Sequence, residues 1–152
     1  MSVIEIIPAN RRGVDVIEPP VVYIAAAVSP HRRPGAPEAR RLEAIASEFG
    51  YRTHIANGTT VLAGPLHPDD DAALHRAELV ICEIPSAEWG LPVELALASV
   101  RRIPTVALLP VDEILSQASA DVLEHATQLR CPRGHAPRAL HAHLATRTLA
   151  AA

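Results

Sequence analysis

The fold of this chain is decided by residues 69–98, DDDAALHRAELVICEIPSAEWGLPVELALA, where an acidic helix start, a buried strand, a turn and a second helix follow in order. The run 79–84 is almost continuously apolar, which is typical of a strand covered on both faces in a parallel sheet. Residues 89–92, Trp-Gly-Leu-Pro, then turn the chain. Pro92 suits the first position of a helix because its missing N–H needs no partner there. Glu94 therefore falls in the first turn of that helix.

The same alternation of strands and helices continues outside this stretch. Apolar runs bounded by Gly and Pro predict further strands, and helical spacing of apolar residues predicts further helices. The predicted strands are 21–28, 51–56, 103–109 and 128–131. The predicted helices are 36–49, 112–125 and 136–149. This pattern predicts an α/β fold, a single doubly wound, Rossmann-like (flavodoxin-like) three-layer sandwich whose mostly parallel sheet has about five strands. Residues 1–20 are expected to be an N-terminal extension with a hairpin, followed by the domain over 21–152.

Composition excludes several classes of protein. The chain has 152 residues, 49% of them hydrophobic, so it can bury a core, and its net charge of -3 offers no attraction for a nucleic acid polymer or a membrane surface. Two cysteines are too few for a disulfide framework. Neither an 18-residue apolar run nor a signal-like start is present in the sequence, so we expect a cytoplasmic protein. The eight histidines lack ligand spacing, and no metal or cofactor is expected.

Three acids are the candidate catalytic residues: Asp70, Glu83 and Glu94. Open α/β sheets bind ligands at the carboxyl ends of their strands, so we expect these acids to converge on one crevice. Glu83 stands within an apolar run, where a carboxylate is costly unless it is paired or used. The alternative for Glu94 is a structural acid favoured by the helix dipole. For Asp70 the alternative is part of a helix-capping cluster.

These residues carry a resemblance to a known family. The stretch resembles the nucleoside 2-deoxyribosyltransferases and their relatives that hydrolyse 2'-deoxynucleoside 5'-phosphates. Asp70, Glu83, Gly90 and Glu94 fall, without a gap, on that family's acidic, strand-end, turn and nucleophile positions. Tyr23 resembles the aromatic residue of the family's first strand.

The resemblance implies cleavage of a nucleoside N-glycosidic bond with retention. Glu94 would attack the anomeric carbon, Asp70 would protonate or hydrogen-bond the leaving base, and Glu83 would orient sugar hydroxyls or tune its neighbours. Transfer of the sugar to another base would give a transferase, and transfer to water a hydrolase. The implied substrate-binding residues are Tyr23, Ala25, Ser86, Glu88, Gly90 and Ser116. Family members are homodimers or larger homo-oligomers in which a neighbouring subunit contributes a serine, for which Ser116 is the nearest match.

Glu88, six residues before the proposed nucleophile, is expected to bind the 5' end of the substrate. The resemblance places an acid here in the enzymes that bind an unphosphorylated 5'-hydroxyl, and a serine in those that hold a phosphate. A free nucleoside is therefore the expected substrate. The alternatives are a nucleoside 5'-monophosphate N-glycosidase with Glu88 as a solvated turn residue, a non-catalytic nucleotide-binding or sensing module, and a structural subunit.

Overall fold

The computed structural model describes residues 20–27, 36–57 and 66–151. Strands and helices alternate along these residues: β1 (Val21–Ala26), α1 (Ala36–Glu48), β2 (Arg52–Ile55), α2 (Pro68–Arg76), β3 (Ala77–Glu83), α3 (Val93–Val100), β4 (Thr105–Pro110), α4 (Gln117–Val122), β5 (Thr127–Cys131) and α5 (Ala136–Ala151). The hairpin expected over residues 1–20 lies outside the described residues, except for Pro20.

The sheet is wholly parallel, with strand order β2-β1-β3-β4-β5. This is the flavodoxin-like order, and it confirms the predicted doubly wound sandwich. The strand order reverses between β1 and β3. In open α/β sheets such a switch point leaves a crevice at the carboxyl ends of the strands, because the connections on its two sides run to opposite faces.

Two apolar cores lie on the two faces of the sheet. Alternate strand residues such as Ile24 and Ile81 pack with α1 and α5 on one face. Their chain neighbours, such as Tyr23 and Cys82, pack with α2 and α3 on the other. Successive residues of a strand point to opposite faces, so the choice of face decides which acids can meet. We call these the α1 face and the α3 face.

One predicted helix is shorter than expected. The sequence predicts a helix over 112–125, whereas α4 spans only Gln117–Val122. The Ser116 hydroxyl oxygen accepts a hydrogen bond from the Ser119 amide at 3.2 Å and so caps the helix there. Before this cap the chain is held in a loop, because the Arg133 side chain bonds the Glu113 carboxylate at 2.7 Å.

Candidate active site

A hydrogen bond between Tyr23 and Glu94 lies on the α3 face of the sheet. The Tyr23 hydroxyl donates to Oε2 of Glu94 at 3.0 Å, and both residues are buried. Tyr23 is fixed by the middle of β1. Glu94 is the second residue of α3, which begins directly after Pro92. A strand and a first helical turn thus hold the two groups of this bond.

Burial shifts the pKa of both groups. Removal from water raises the pKa of Glu94; hydrogen bonds from its own backbone and from Tyr23 oppose this, while the nearby charge of Asp70 adds to it. Burial also raises the pKa of Tyr23 far above its ordinary value, with the negative charges of Glu94 and Asp70 acting in the same direction. Tyr23 therefore stays a proton donor in its bond to Glu94.

Asp70 lies in α2 close to this pair and accepts hydrogen bonds from two residues, His54 and Asn57. It is 1% exposed. Its Oδ1 accepts hydrogen bonds from the His54 ring at 2.8 Å and from the Asn57 side-chain amide at 2.8 Å. The Asn57 backbone amide donates to both carboxylate oxygens at 3.1 Å. A buried carboxylate with these donors is held in one orientation.

His54 joins the two acids into one cluster. It stands beside Tyr23 in the pairing of β2 with β1. The two ring centroids lie 5.4 Å apart at an interplanar angle of 35°. The His54 side chain is 25% exposed, compared with 2% for Asp70. Of these groups, the imidazole therefore has the greater access from outside.

Sequence reasoning missed His54 and Asn57. Both come at the carboxyl end of a short strand whose neighbour in the sheet is β1, and that neighbourhood is not visible in the sequence. The usable signal was the pair His54 and Asn57 near the carboxyl end of a strand, where open α/β sheets bind ligands.

Glu83 does not join Asp70 and Glu94, contrary to the expected convergence of the three acids. It follows Cys82 in β3 and therefore points to the α1 face. Burial raises the pKa of its carboxyl, Arg41 of α1 lowers it, and Glu38 raises it. Among the described residues, its Oε2 has no hydrogen-bond partner. The side chain borders a cleft of about 140 Å³ that also includes Cys131.

The predicted residues Ser86, Glu88 and Gly90 all lie in the loop between β3 and α3. The Ser86 hydroxyl accepts from the Glu88 amide at 3.3 Å, and the Glu88 side chain is exposed. The loop is tied to its surroundings by Arg133, which donates to the Pro85 carbonyl at 3.1 Å.

The Glu113 carboxylate completes this attachment. It accepts from the Ala87 amide at 3.0 Å through one oxygen and from Arg133 through the other. The hydrogen bond from Arg133 lowers the pKa of Glu113. The loop that follows β3 is thus fixed to the loops that follow β4 and β5.

The last two predicted residues differ in access. Ala25 is 2% exposed and packs on the α3 face, two residues after Tyr23 in β1. Ser116 is exposed at the start of α4, where its hydroxyl also donates to the Ser119 hydroxyl at 3.1 Å.

The described residues offer no cluster of three or more His, Cys, Asp or Glu side chains able to hold a metal ion. In the same part of the chain, none of the helices has the length and apolar character needed to cross a membrane. Burial raises the pKa of the Cys82 thiol strongly, so this thiol is a packing group rather than a nucleophile. The titratable groups that lie together on the α3 face are Tyr23, His54, Asp70 and Glu94.

Comparison with known proteins supports the fold. No family model matches the chain, and no curated protein matches it. A crystal structure of a conserved protein from Enterococcus faecalis V583 is similar, with a TM-score of 0.55 and 11% sequence identity over 86% of this chain and 99% of that one. At this identity the similarity shows a shared compact α/β fold, which the two chains reach with different sequences.

Proposed function

We propose that this protein cleaves the N-glycosidic bond of a nucleoside through a covalent intermediate on Glu94, and passes the sugar to another base or to water. The observation that carries the proposal is the buried bond from Tyr23 to Glu94 at 3.0 Å. This bond holds the buried carboxylate in one orientation, as attack on a single carbon atom requires. The resemblance to nucleoside deoxyribosyltransferases supplies the substrate class.

In this mechanism an oxygen of ionised Glu94 attacks the anomeric carbon as the bond to the base breaks. The bonding electrons leave with the base, and a sugar ester of Glu94 remains. Water or a second base then attacks the same carbon and releases the carboxylate, which restores the original anomeric configuration. Tyr23 keeps the carboxylate oriented through both steps.

The test is incubation with a panel of nucleosides and 5'-nucleotides, followed by chromatography for free base. Wild-type protein should release base, and Glu94→Gln should lose at least about 10³-fold of the rate, as expected when a nucleophile is removed. Glu78→Gln is the matched control, because Glu78 is an exposed acid of β3. Mass spectrometry of quenched wild-type protein should find the sugar on the peptide that contains residue 94. Release that is equal in Glu94→Gln and wild type would refute the mechanism.

The proposed substrate is a free nucleoside. Glu88 places an exposed carboxylate on the loop that precedes α3, and a carboxylate about 4 Å from a phosphate costs on the order of 4 kcal/mol per unit charge at an effective dielectric of 20. Comparing kcat/KM for a nucleoside and its 5'-monophosphate tests this assignment. A preference for the monophosphate that is unchanged in Glu88→Ser would overturn it. Binding without release of base would instead favour a nucleotide sensor.

The proposal includes assembly as a homodimer or larger homo-oligomer in the cytoplasm. The helix that carries Glu94 is apolar on its outer side as well as its inner side, with Val93 40% and Val100 81% exposed. These valines are seven residues apart and so share one side of the helix. A helix that is apolar all round is normally covered, and a second copy of the chain is the proposed cover. Sedimentation at micromolar concentration tests this.

A further inference from the structure

We propose that His54, and not Asp70, gives the proton to the leaving base, with Asp70 behind it as a positioning residue. This inference rests on the proposed function and assigns a catalytic residue that the sequence did not indicate. It starts from the difference in access within the pair, whose side chains are 25% and 2% exposed.

Asp70 is poorly placed to meet a substrate. Its Oδ1 accepts from the His54 ring and from the side-chain and backbone amides of Asn57, and its Oδ2 accepts from the same backbone amide. An ionised carboxylate only accepts hydrogen bonds. For Asp70 to act as the acid, the side chain would have to leave these donors, and they would then be left without their partner.

His54 has the arrangement that Asp70 lacks. Its Nε2 faces Asp70 at 2.8 Å, which fixes the ring and makes Nε2 a donor toward the carboxylate. Among the described residues, no group pairs with the other ring nitrogen, Nδ1. The ring lies against Tyr23, whose hydroxyl reaches Glu94. The proposed acid and the proposed nucleophile thus both contact Tyr23, which places them on the same face of the sheet.

Proton transfer from His54 accompanies the cleavage of the glycosidic bond. The carbon–nitrogen bond breaks, its electron pair goes to the base, and the proton on Nδ1 of the imidazolium moves to a nitrogen or carbonyl oxygen of the base. The ester of Glu94 forms at the same carbon. In the second step neutral His54 takes a proton from the attacking water through Nδ1, the ester bond breaks, and Glu94 leaves as a carboxylate. His54 returns to its starting state.

The test compares substrates that differ in their need for a proton. For a purine, the pair is a deoxynucleoside and its 7-methylated form, whose cationic base leaves without protonation. For a pyrimidine, the pair carries uracil or 5-fluorouracil, the latter being the better leaving group. The wild-type panel decides which pair is used. The variants are His54→Phe, which keeps a ring against Tyr23, and Asp70→Asn.

His54→Phe should lose about 10²- to 10⁴-fold in kcat on the ordinary substrate and much less on the activated one. Asp70→Asn should show the same leaving-group pattern with a smaller loss, because it misorients the acid without removing it. His75→Phe is the matched control. His75 pairs with Asp71 at 3.5 Å on the exposed side of α2, the helix that carries Asp70.

Equal losses of His54→Phe on both substrates, with wild-type stability, would overturn the assignment. A large, leaving-group-dependent loss in Asp70→Asn with little loss in His54→Phe would return the role to Asp70. If wild-type protein releases no base from any substrate, or Glu94→Gln keeps full activity, the proposed function itself fails, and this inference fails with it. Those outcomes are separate from a failure confined to His54.

Discussion

Removing the Tyr23 hydroxyl tests the central bond of the site directly. In Tyr23→Phe the ring remains in the core, whereas the 3.0 Å hydrogen bond to Glu94 is lost. Hydrogen bonds to charged groups contribute about 1.5–3 kcal/mol. For a chain of this length, 1 kcal/mol corresponds to about 2–4 °C in Tm. We therefore expect Tm to fall by about 3–12 °C near neutral pH.

The sign of the pH dependence follows from the charge of Glu94. The Tyr23 hydrogen bond lowers the pKa of this carboxyl, against the stronger effect of burial, which raises it. Without the donor the pKa rises further, because the charged form loses a partner. The stability deficit of Tyr23→Phe should thus be largest where Glu94 is ionised and shrink as pH falls through its pKa. The acid limb of the pH–rate profile should move to higher pH.

Thermal unfolding followed by circular dichroism at several pH values, together with pH–rate profiles, measures both effects. Tyr51→Phe is the matched control, because Tyr51 packs against the core of the α1 face, away from Glu94. A deficit that is the same at every pH, or an acid limb that does not move, would show that the bond does not act on the charge of Glu94.

Three further substitutions test other parts of the structure. Glu83→Gln removes a carboxylate whose pKa is raised by burial. It should therefore stabilise the protein by about 1 kcal/mol near neutral pH. This gain should vanish as the pH falls below the ordinary pKa of a glutamate. Loss of stability at neutral pH in urea titrations would contradict this. Val100→Asp places a charge on the outer side of α3 and should convert an oligomer to monomers in sedimentation; an unchanged oligomer would exclude this helix as the interface. Leu108→Ala, at a fully buried position, should cost about 2–5 kcal/mol in the same titrations, and a cost below that range would mean that the core closes around the cavity.

The fold could be predicted because local patterns and global rules agree. The apolar run of β3 and the Pro-led start of α3 are both visible in the sequence. Alternating strands and helices permit few topologies, since crossovers between parallel strands are right-handed. The length of α4 was not predictable in the same way. The loop before Ser116 is held by the bond from Arg133 to Glu113, two residues that are 20 positions apart in the chain.

The candidate site was predicted in part, and both errors concern the pairing of strands. The Tyr23–Glu94 bond joins residues 71 positions apart, and both were named from the sequence. Glu83 was grouped with them because it stands at the carboxyl end of β3, the central strand of the sheet. A shift of one residue along a strand moves a side chain to the other face, and the face is fixed only by how β3 pairs with β1. His54 was missed for a related reason, because its neighbour β1 is identified only by the strand order.

The carboxylates on the two faces of the sheet differ in their hydrogen-bond donors. On the α3 face each acid has a donor: Tyr23 for Glu94, and His54 and Asn57 for Asp70. On the α1 face, Glu83 has an oxygen without a hydrogen-bond partner among the described residues. Donors that fix a charge in one orientation are what catalysis at a single carbon atom requires, because misplacement by about 1 Å costs about 10²-fold in rate. The donors on the α3 face come from β1, from β2 and from Asn57 just after β2, so the core that builds the sheet also sets the geometry of the site. Core substitutions beneath β1 should therefore lower kcat together with stability, whereas equal core damage beneath β5 should lower stability alone.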